Sequence, residues 1–178
     1  NKAEDKNHYQ SRQLTLFEQI NLQGKNKEKL DYRYALQPLS PQSLFPIEAK
    51  GYENNDNAKA QAEYHQLWEA FSQGIKKIPE SHKSQLPLWL DHFDSLWQTY
   101  THSIPSATAF GVKPDVSLYD HSKAVTALAV ALWRYDYETE VNQEQAIEQM
   151  RSRANWDDNK LLLIQSDFFG IQNYLKLI

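Results

Sequence analysis

An aspartate followed directly by a histidine, Asp120 and His121, is the pair of side chains best suited to chemistry in this sequence. A carboxylate and an imidazole can both ligate divalent metal ions, so the pair is a candidate metal site. The two residues lie in a segment of helical periodicity, where neighbouring side chains project about 100° apart. A structural role is the alternative, because an acidic residue favours the first turn of a helix and a histidine can hydrogen-bond within a core.

A second group of candidate residues, Ser166, Asp167 and Gln172, follows an apolar run at 161–164. The run has the length of a buried strand. Polymerase-like enzymes often hold a metal ion on an aspartate at the end of such a strand, and Ser166 and Gln172 could line the same nucleotide groove. The alternative is that Asp167 caps a turn or a helix.

Other histidines and tryptophans give no comparable signal. The histidines lack helical metal-ligand spacing such as His-Glu-x-x-His, which predicts solvent-facing or capping roles. The tryptophans recur at helical spacing with apolar residues and with almost no Lys or Arg beside them, which predicts core positions rather than base-stacking platforms. The residues concerned are His65, His82, His92 and His102, and Trp68, Trp89, Trp97 and Trp133.

Composition restricts the classes of protein to consider. The 178 residues are 40% hydrophobic and 12% aromatic, enough to predict a folded body. A net charge of -4 gives no basic footprint, so any contact with nucleic acid must be local or made by partners. The chain has no cysteine, which fits a reducing cytoplasm. Its longest apolar run, 124–133, is too short to span a bilayer. The sequence starts at Asn1 without an initiator methionine, which predicts a preceding segment.

The elements that must position the candidate residues are mostly helical. Alternating residues predict a half-buried strand at 30–36, and a polar loop at 51–57 is the best internal boundary. Apolar stripes predict one helix from about 58 to 78 and a second entered through Pro87, and the two should pack together. Ser117 and Asp120 resemble a capping box at the start of the strongest helix, whose two apolar faces should both be buried. A short polar helix is expected at 142–154.

Two blocks of sequence then resemble a known family. Pro105-Ser-Ala-Thr108, Pro114-Asp-Val-Ser-Leu-Tyr-Asp-His121 and Ala127-Leu-Ala129 resemble a signature of the type III CRISPR large subunit just before its palm domain. Residues 161–174, LLLIQSDFFGIQNY, are similar to the opening strand and helix of that family's first palm, with Ser166 in place of the usual glycine. Weaker matches at 9–20, 32–34 and 44–46 resemble the connector after the HD nuclease domain in Csm-type, subtype III-A members.

The resemblance implies an α+β fold: a helical connector followed by the first strand and helix of an incomplete ferredoxin-like palm. It implies a connector with a short strand at 1–57, a helical hairpin at 58–104, an alanine-rich helix at 105–138 that packs on the HD domain, and the palm start at 160–178. Asp120 and His121 would then contact the HD side, and Ser166, Asp167 and Gln172 the nucleotide side.

The parent protein of this family cleaves single-stranded DNA with its HD domain. Its palm domains make cyclic oligoadenylate from ATP when target RNA is bound. The implied cofactors are Mg²⁺, Mn²⁺ or a similar ion together with ATP, and the implied partners are other CRISPR effector subunits, CRISPR RNA and target RNA in the cytoplasm. The His-Asp nuclease pair is expected before Asn1 and the Gly-Gly-Asp-Asp motif after Ile178, so we expect this chain to be inactive by itself.

Two other classes of function stay open at this point. One is a non-catalytic helical interaction module with a degenerate palm. The other is a nucleotide cyclase or polymerase with a related palm and no connection to CRISPR, which would lack the upstream HD domain. A His-Asp pair upstream and a Gly-Gly-Asp-Asp motif downstream would distinguish them.

Overall fold

A computed structural model describes residues 12–20, 30–49, 57–108, 112–153 and 157–164. These residues form five helices and one small sheet, as an α+β fold predicts. The strands are β1 (Tyr32–Arg33) and β2 (Ile47–Glu48), and the helices are α1 (Asn57–Lys76), α2 (Glu80–Lys83), α3 (Leu86–Thr101), α4 (Leu118–Glu138) and α5 (Gln143–Ser152), with a turn of 3-10 helix at Phe17–Gln19. No helix in these ranges is long and apolar enough to cross a membrane.

Internal contacts divide the chain into two units, Asn1–Ala124 and Val125–Ile178, with the boundary inside α4. The first unit contains both strands, α1 to α3 and the first turns of α4. The second contains the rest of α4 and all of α5.

The sheet of the first unit is antiparallel and very short. Tyr32 pairs with Glu48 and Arg33 with Ile47. An extended segment at 12–15 lies alongside: the Leu14 amide donates to the Pro114 carbonyl at 2.8 Å, and Leu14 forms a bridge with Arg33. The strand predicted at 30–36 is therefore real but shorter than the alternation suggested, because only two of its residues find ladder partners in β2.

The alternating burial predicted for that strand is wrong. Tyr32 is exposed, whereas the consecutive residues Ala35 and Leu36 are both buried. Beyond the strand the chain turns toward α3, where the Leu39 amide donates to the Thr99 carbonyl at 2.7 Å. Ala35 and Leu36 are therefore buried where the chain approaches the helices, not by alternating between the two faces of a sheet.

The packing of α1 against α3 forms the core of the first unit and confirms the predicted pair of helices. The ring of Phe71 lies edge-on to Phe93, Trp97 and Tyr100, with centroids 6.0 to 6.2 Å apart. Gly74 permits the close approach: a Cβ there would lie 2.7 Å from Cδ2 of Leu96, well inside van der Waals contact. Pro87 lies in the first turn of α3, as expected.

The core role predicted for the four tryptophans is wrong for two of them. Trp68 is 64% exposed and Trp133 is 61% exposed. Trp89 and Trp97 are half-buried, and both stack on Phe93 along one side of α3. Helical spacing identified the residues that share a face but not how far the neighbouring helix covers it.

A short antiparallel bridge joins the end of α3 to the start of α4. Pro105 pairs with Ser117, the Ser106 amide donates to the Val116 carbonyl at 2.9 Å, and the Leu118 amide donates to the Ile104 carbonyl at 2.7 Å. These bonds satisfy backbone groups that a helix start would otherwise leave unpaired. They fix the first turn of α4 beside the last turn of α3.

The second unit differs most from expectation. Both faces of α4 were predicted to be buried, but every residue from 123 to 134 is exposed, including Val125 and Leu128, because no element in the described ranges covers this stretch. The predicted polar helix is confirmed as α5, whose start carries a complete capping box between Asn142 and Gln145.

The buried strand predicted at 161–164 is also wrong for the described part of the chain. These residues are exposed and have no regular structure, because a strand needs a partner for its hydrogen bonds and apolar face, and none of the described segments supplies one. The rest of the predicted palm start, 165–178, lies outside the described residues.

The same substitution at a buried and at an exposed leucine tests this fold. We expect Leu67→Ala to lower the free energy of unfolding by about 2–4 kcal/mol, because Leu67 is only 3% exposed and its loss leaves a cavity. Leu163→Ala should change it by less than about 0.5 kcal/mol, because Leu163 is 95% exposed. Urea denaturation of both variants measures the difference, and equal losses would show that 161–164 is buried in solution.

Candidate functional site

The predicted pair Asp120 and His121 lies in the first turn of α4. The Asp120 amide donates to Oγ of Ser117 at 2.9 Å, and the Ser117 hydroxyl donates to Oδ2 of Asp120 at 2.7 Å. The capping interaction predicted from the sequence is confirmed, although the carboxylate bonds to the serine hydroxyl rather than to its amide. The Asp120 carboxylate is thus already engaged in holding the end of the helix.

His121 follows Asp120 in the first turn of α4. Its side chain is exposed, and its backbone amide donates to the Ser117 carbonyl at 3.0 Å. Across the described ranges, no three His, Asp or Glu side chains come together as metal ligands would. The serine cap favours the structural interpretation of Asp120, and the metal role of the pair stays a prediction.

The candidates for the nucleotide side, Ser166, Asp167 and Gln172, lie outside the described residues. Their predicted roles stay predictions.

An apolar cavity of about 230 Å³ lies between α1, α3 and the start of α4. Five of its nine lining residues are aromatic. The hydroxyl of Thr101 in its wall already donates to the Trp97 carbonyl at 2.6 Å. The lining residues are Tyr64, Leu67, Trp68, Phe71, Trp97, Tyr100, Thr101, Ile104 and Leu118. With no Asp, Glu, Lys, Arg or His in its walls, the cavity suits an apolar group.

Polar groups are buried without partners where α3 ends. Ser103 is fully buried and its hydroxyl has no hydrogen-bond partner among the described residues, nor does either ring nitrogen of His102. Burial lowers the pKa of His102, and the neighbouring Thr99 carbonyl, which favours the charged ring, offsets this only in part. Of the two roles predicted for His102, the capping role is confirmed, because His102 is the C-cap residue of α3 and its amide donates to the Gln98 carbonyl at 3.2 Å. The solvent-facing role is wrong for its ring nitrogens, which are both buried.

A second pair of histidines was missed by the sequence reasoning. Nδ1 of His82 and Nε2 of His92 lie 2.8 Å apart, and both rings are half-buried. If residues 82–92 formed one continuous helix, the ten-residue separation would place the two side chains on different sides of that helix. The signal was available in Pro79 and Pro87, which restrict His82 to the separate short helix α2 and let it face α3.

One buried ion pair connects the N-terminal segment to α1. Nη2 of Arg12 lies 2.6 Å from Oε2 of Glu63, and the two side chains are 5% and 19% exposed. Burial also raises the pKa of the adjacent Tyr64 hydroxyl, while the nearby Arg12 charge acts in the opposite direction. The ion pair ties segment 12–15 to α1, so we assign it a structural role.

Removal of the serine cap tests the structural role of Asp120. We expect Ser117→Ala to cost about 1–2 kcal/mol of unfolding free energy, because the Asp120 amide and carboxylate both lose a partner at a buried position. Ser84→Ala is the matched control, since its exposed hydroxyl makes a single 3.2 Å bond to the Ser81 carbonyl. Its expected cost is below about 0.5 kcal/mol. Equal costs in urea denaturation would contradict the cap.

The buried histidine predicts a pH dependence of stability. Because the pKa of His102 is lower in the folded than in the unfolded chain, its contribution is fully present above the unfolded value of about 6.5 and is lost as pH falls below it. Replacing His102 by leucine should make unfolding free energies at about pH 7.5 and about pH 5.5 more alike. His65→Leu, on the exposed side of α1, should leave the wild-type dependence intact; an unchanged dependence in the His102 variant would refute the assignment.

Comparison with known proteins gives two related matches. No family model matches the chain, and no solved structure matches it. The chain is 27% identical over 181 residues to the CRISPR system single-strand-specific deoxyribonuclease Cas10/Csm1 (subtype III-A) of Methanocaldococcus jannaschii, an alignment covering 91% of this chain and 21% of that protein. It is 34% identical over 110 residues to the protein of the same description from Enterococcus italicus, covering 57% of this chain and 14% of that protein.

The chain thus spans between a seventh and about a fifth of the length of these relatives. Both matches carry the same description, and the first extends over nearly the whole chain. The resemblance inferred from the two sequence blocks is thereby confirmed: the chain is similar to a segment of the large subunit, Cas10/Csm1, of type III-A CRISPR effector complexes.

Proposed function

We propose that this chain is a connecting segment of a type III-A large subunit, positioned between a nuclease domain and a palm domain. The observation that carries the proposal is the similarity along 91% of the chain to a protein described as a single-strand-specific deoxyribonuclease. The full-length protein then cleaves single-stranded DNA and makes cyclic oligoadenylate from ATP when target RNA is bound. This chain by itself catalyses neither reaction.

The exposed apolar face of α4 supports a connecting role. Val125 and Leu128 are each 51% exposed, and Leu132 follows on the same side of the helix. Burying the exposed part of such a side chain is worth on the order of 1 kcal/mol, so a contiguous row favours contact with another folded body. We propose that this body is the HD domain, with Asp120 and His121 at the near end of the contact.

The proposed cofactors and partners belong to the full-length protein. Divalent ions such as Mg²⁺ or Mn²⁺ would bind in the nuclease and palm domains, and ATP would bind in the palms, with Ser166, Asp167 and Gln172 on the nucleotide side. Other effector subunits would bring CRISPR RNA and target RNA, because the net charge of -4 offers no basic surface for them here.

A second candidate function is a non-catalytic interaction module with a degenerate palm. Two observations favour it: residues 161–164 have no strand partner among the described segments, and Ser166 replaces the glycine usual at that place in the family's palm. A module of this kind would keep the helical contacts and lose nucleotide synthesis. The two candidates differ in the products of the assembled complex.

The decisive experiment uses the full-length protein in its assembled complex with ATP, Mg²⁺ or Mn²⁺ and matching target RNA. Mass spectrometry of the nucleotide products and gel analysis of single-stranded DNA are the two measurements. We expect cyclic oligoadenylate and shortened DNA. Intact assembly with unconsumed ATP would favour the degenerate palm, and absence of both products would refute the proposed enzyme.

The same assay tests the connecting role of α4 with a pair of glutamate substitutions. Leu128→Glu places a charge on the exposed apolar face, so we expect DNA cleavage to fall at least about tenfold through loss of roughly 1.4 kcal/mol or more of interdomain contact. Gln143→Glu introduces the same residue on the polar surface of α5, where an acidic first-turn residue is favourable, and should leave cleavage unchanged. Equal activity of the two variants would show that this face contacts nothing the nuclease requires.

A further inference from the structure

The contact between His82 and His92 is unusual because each ring directs a nitrogen at the other. The two nitrogens are 2.8 Å apart, closer than the faces of stacked rings can approach, so the rings meet edge to edge through an N–H···N hydrogen bond. One ring must supply the proton and the other a lone pair. Both nitrogens are therefore directed at one shared point between α2 and α3.

The separation of these nitrogens matches neighbouring positions around a metal ion. Two imidazole nitrogens bound at about 2.0–2.1 Å and at right angles to one another lie about 2.8–3.0 Å apart. Right-angled sites are typical of square-planar or octahedral Cu²⁺ and Ni²⁺, whereas tetrahedral Zn²⁺ needs a wider separation. Rotation of each ring by about 45° would point both lone pairs at an ion beside the present hydrogen bond.

The charges near the pair do not oppose a cation. Of the three carboxylates between residues 79 and 94, Asp94 lies 3.3 Å from the ammonium of Lys123, Glu80 pairs with Lys83, and Asp91 is exposed. The ammonium of Lys83 lies 2.5 Å from Oε1 of Glu80, so its charge is paired. Both histidines are half-buried, so part of each residue is in contact with solvent.

We propose that His82 and His92 form a two-histidine binding site for a divalent late transition metal ion, represented by Ni²⁺ or Cu²⁺, with water in the remaining positions. Nδ1 of His82 and Nε2 of His92 are the ligand atoms. When the ion binds a neutral pair, the bridging proton moves to the other nitrogen of the ring that carries it. When the ion binds a pair that holds one extra proton, that proton is released to solvent. The ion would lock α2 onto α3, independently of any nuclease or palm activity.

Titration calorimetry of the purified 178-residue chain with NiCl₂, without a histidine tag, tests the site. We expect one Ni²⁺ per chain. His82→Ala and His92→Ala should each weaken binding by more than about tenfold, because losing a ligand costs at least as much as losing one of its supporting hydrogen bonds. His92→Gln, which keeps a polar side chain of similar size, should weaken it equally if the effect is ligand loss rather than misfolding.

His65→Ala is the matched control, because this exposed histidine lies on α1 with its Nε2 3.2 Å from a carboxylate oxygen of Glu69. It should bind Ni²⁺ as the wild type does. The assignment is overturned if the wild-type chain shows no saturable binding, if binding survives in the variants of the pair, or if only His65→Ala removes it.

Discussion

The close packing of α1 on α3 is the constraint on which the rest of the first unit depends. Phe71 supplies a ring that three aromatic side chains of α3 surround, and Gly74 lets the two helices approach within contact of Leu96. Edge-to-face rings add to the burial of apolar area, and the glycine removes the side chain that would hold the helices apart. Every other described feature of this unit is attached to that hairpin.

An ion pair and backbone hydrogen bonds connect other segments of the first unit to α1 and α3. The buried pair of Arg12 and Glu63 fixes the N-terminal segment on α1, while the Leu39 amide bonds to the last turn of α3. The backbone bridge between Pro105 and Ser117 then fixes the first turn of α4 beside the end of α3. Separating Arg12 from Glu63 would leave a buried charge without a partner, which costs free energy. The ion pair therefore favours the arrangement in which segment 12–15 lies against α1.

The second unit has the opposite character, since α4 carries apolar side chains that its own surroundings leave exposed. An apolar helix face is normally covered, whereas Val125, Leu128 and Leu132 of α4 are exposed. The described residues offer no catalytic cluster, and the best candidate pair is a helix cap plus an exposed histidine. These features agree with the similarity of the chain to a segment of the Cas10/Csm1 large subunit.

The sequence by itself determined the local structure: the helical stripes, the proline that begins α3, the serine cap of α4, the polar helix α5 and, through two motif blocks, the family. These depend on side chains a few residues apart, so local spacing is sufficient. Tertiary structure alone decided what those elements contact. It left α4 uncovered, buried His102, exposed Trp68 and brought His82 to His92, because burial and pairing depend on which distant segments are present to pack against each face.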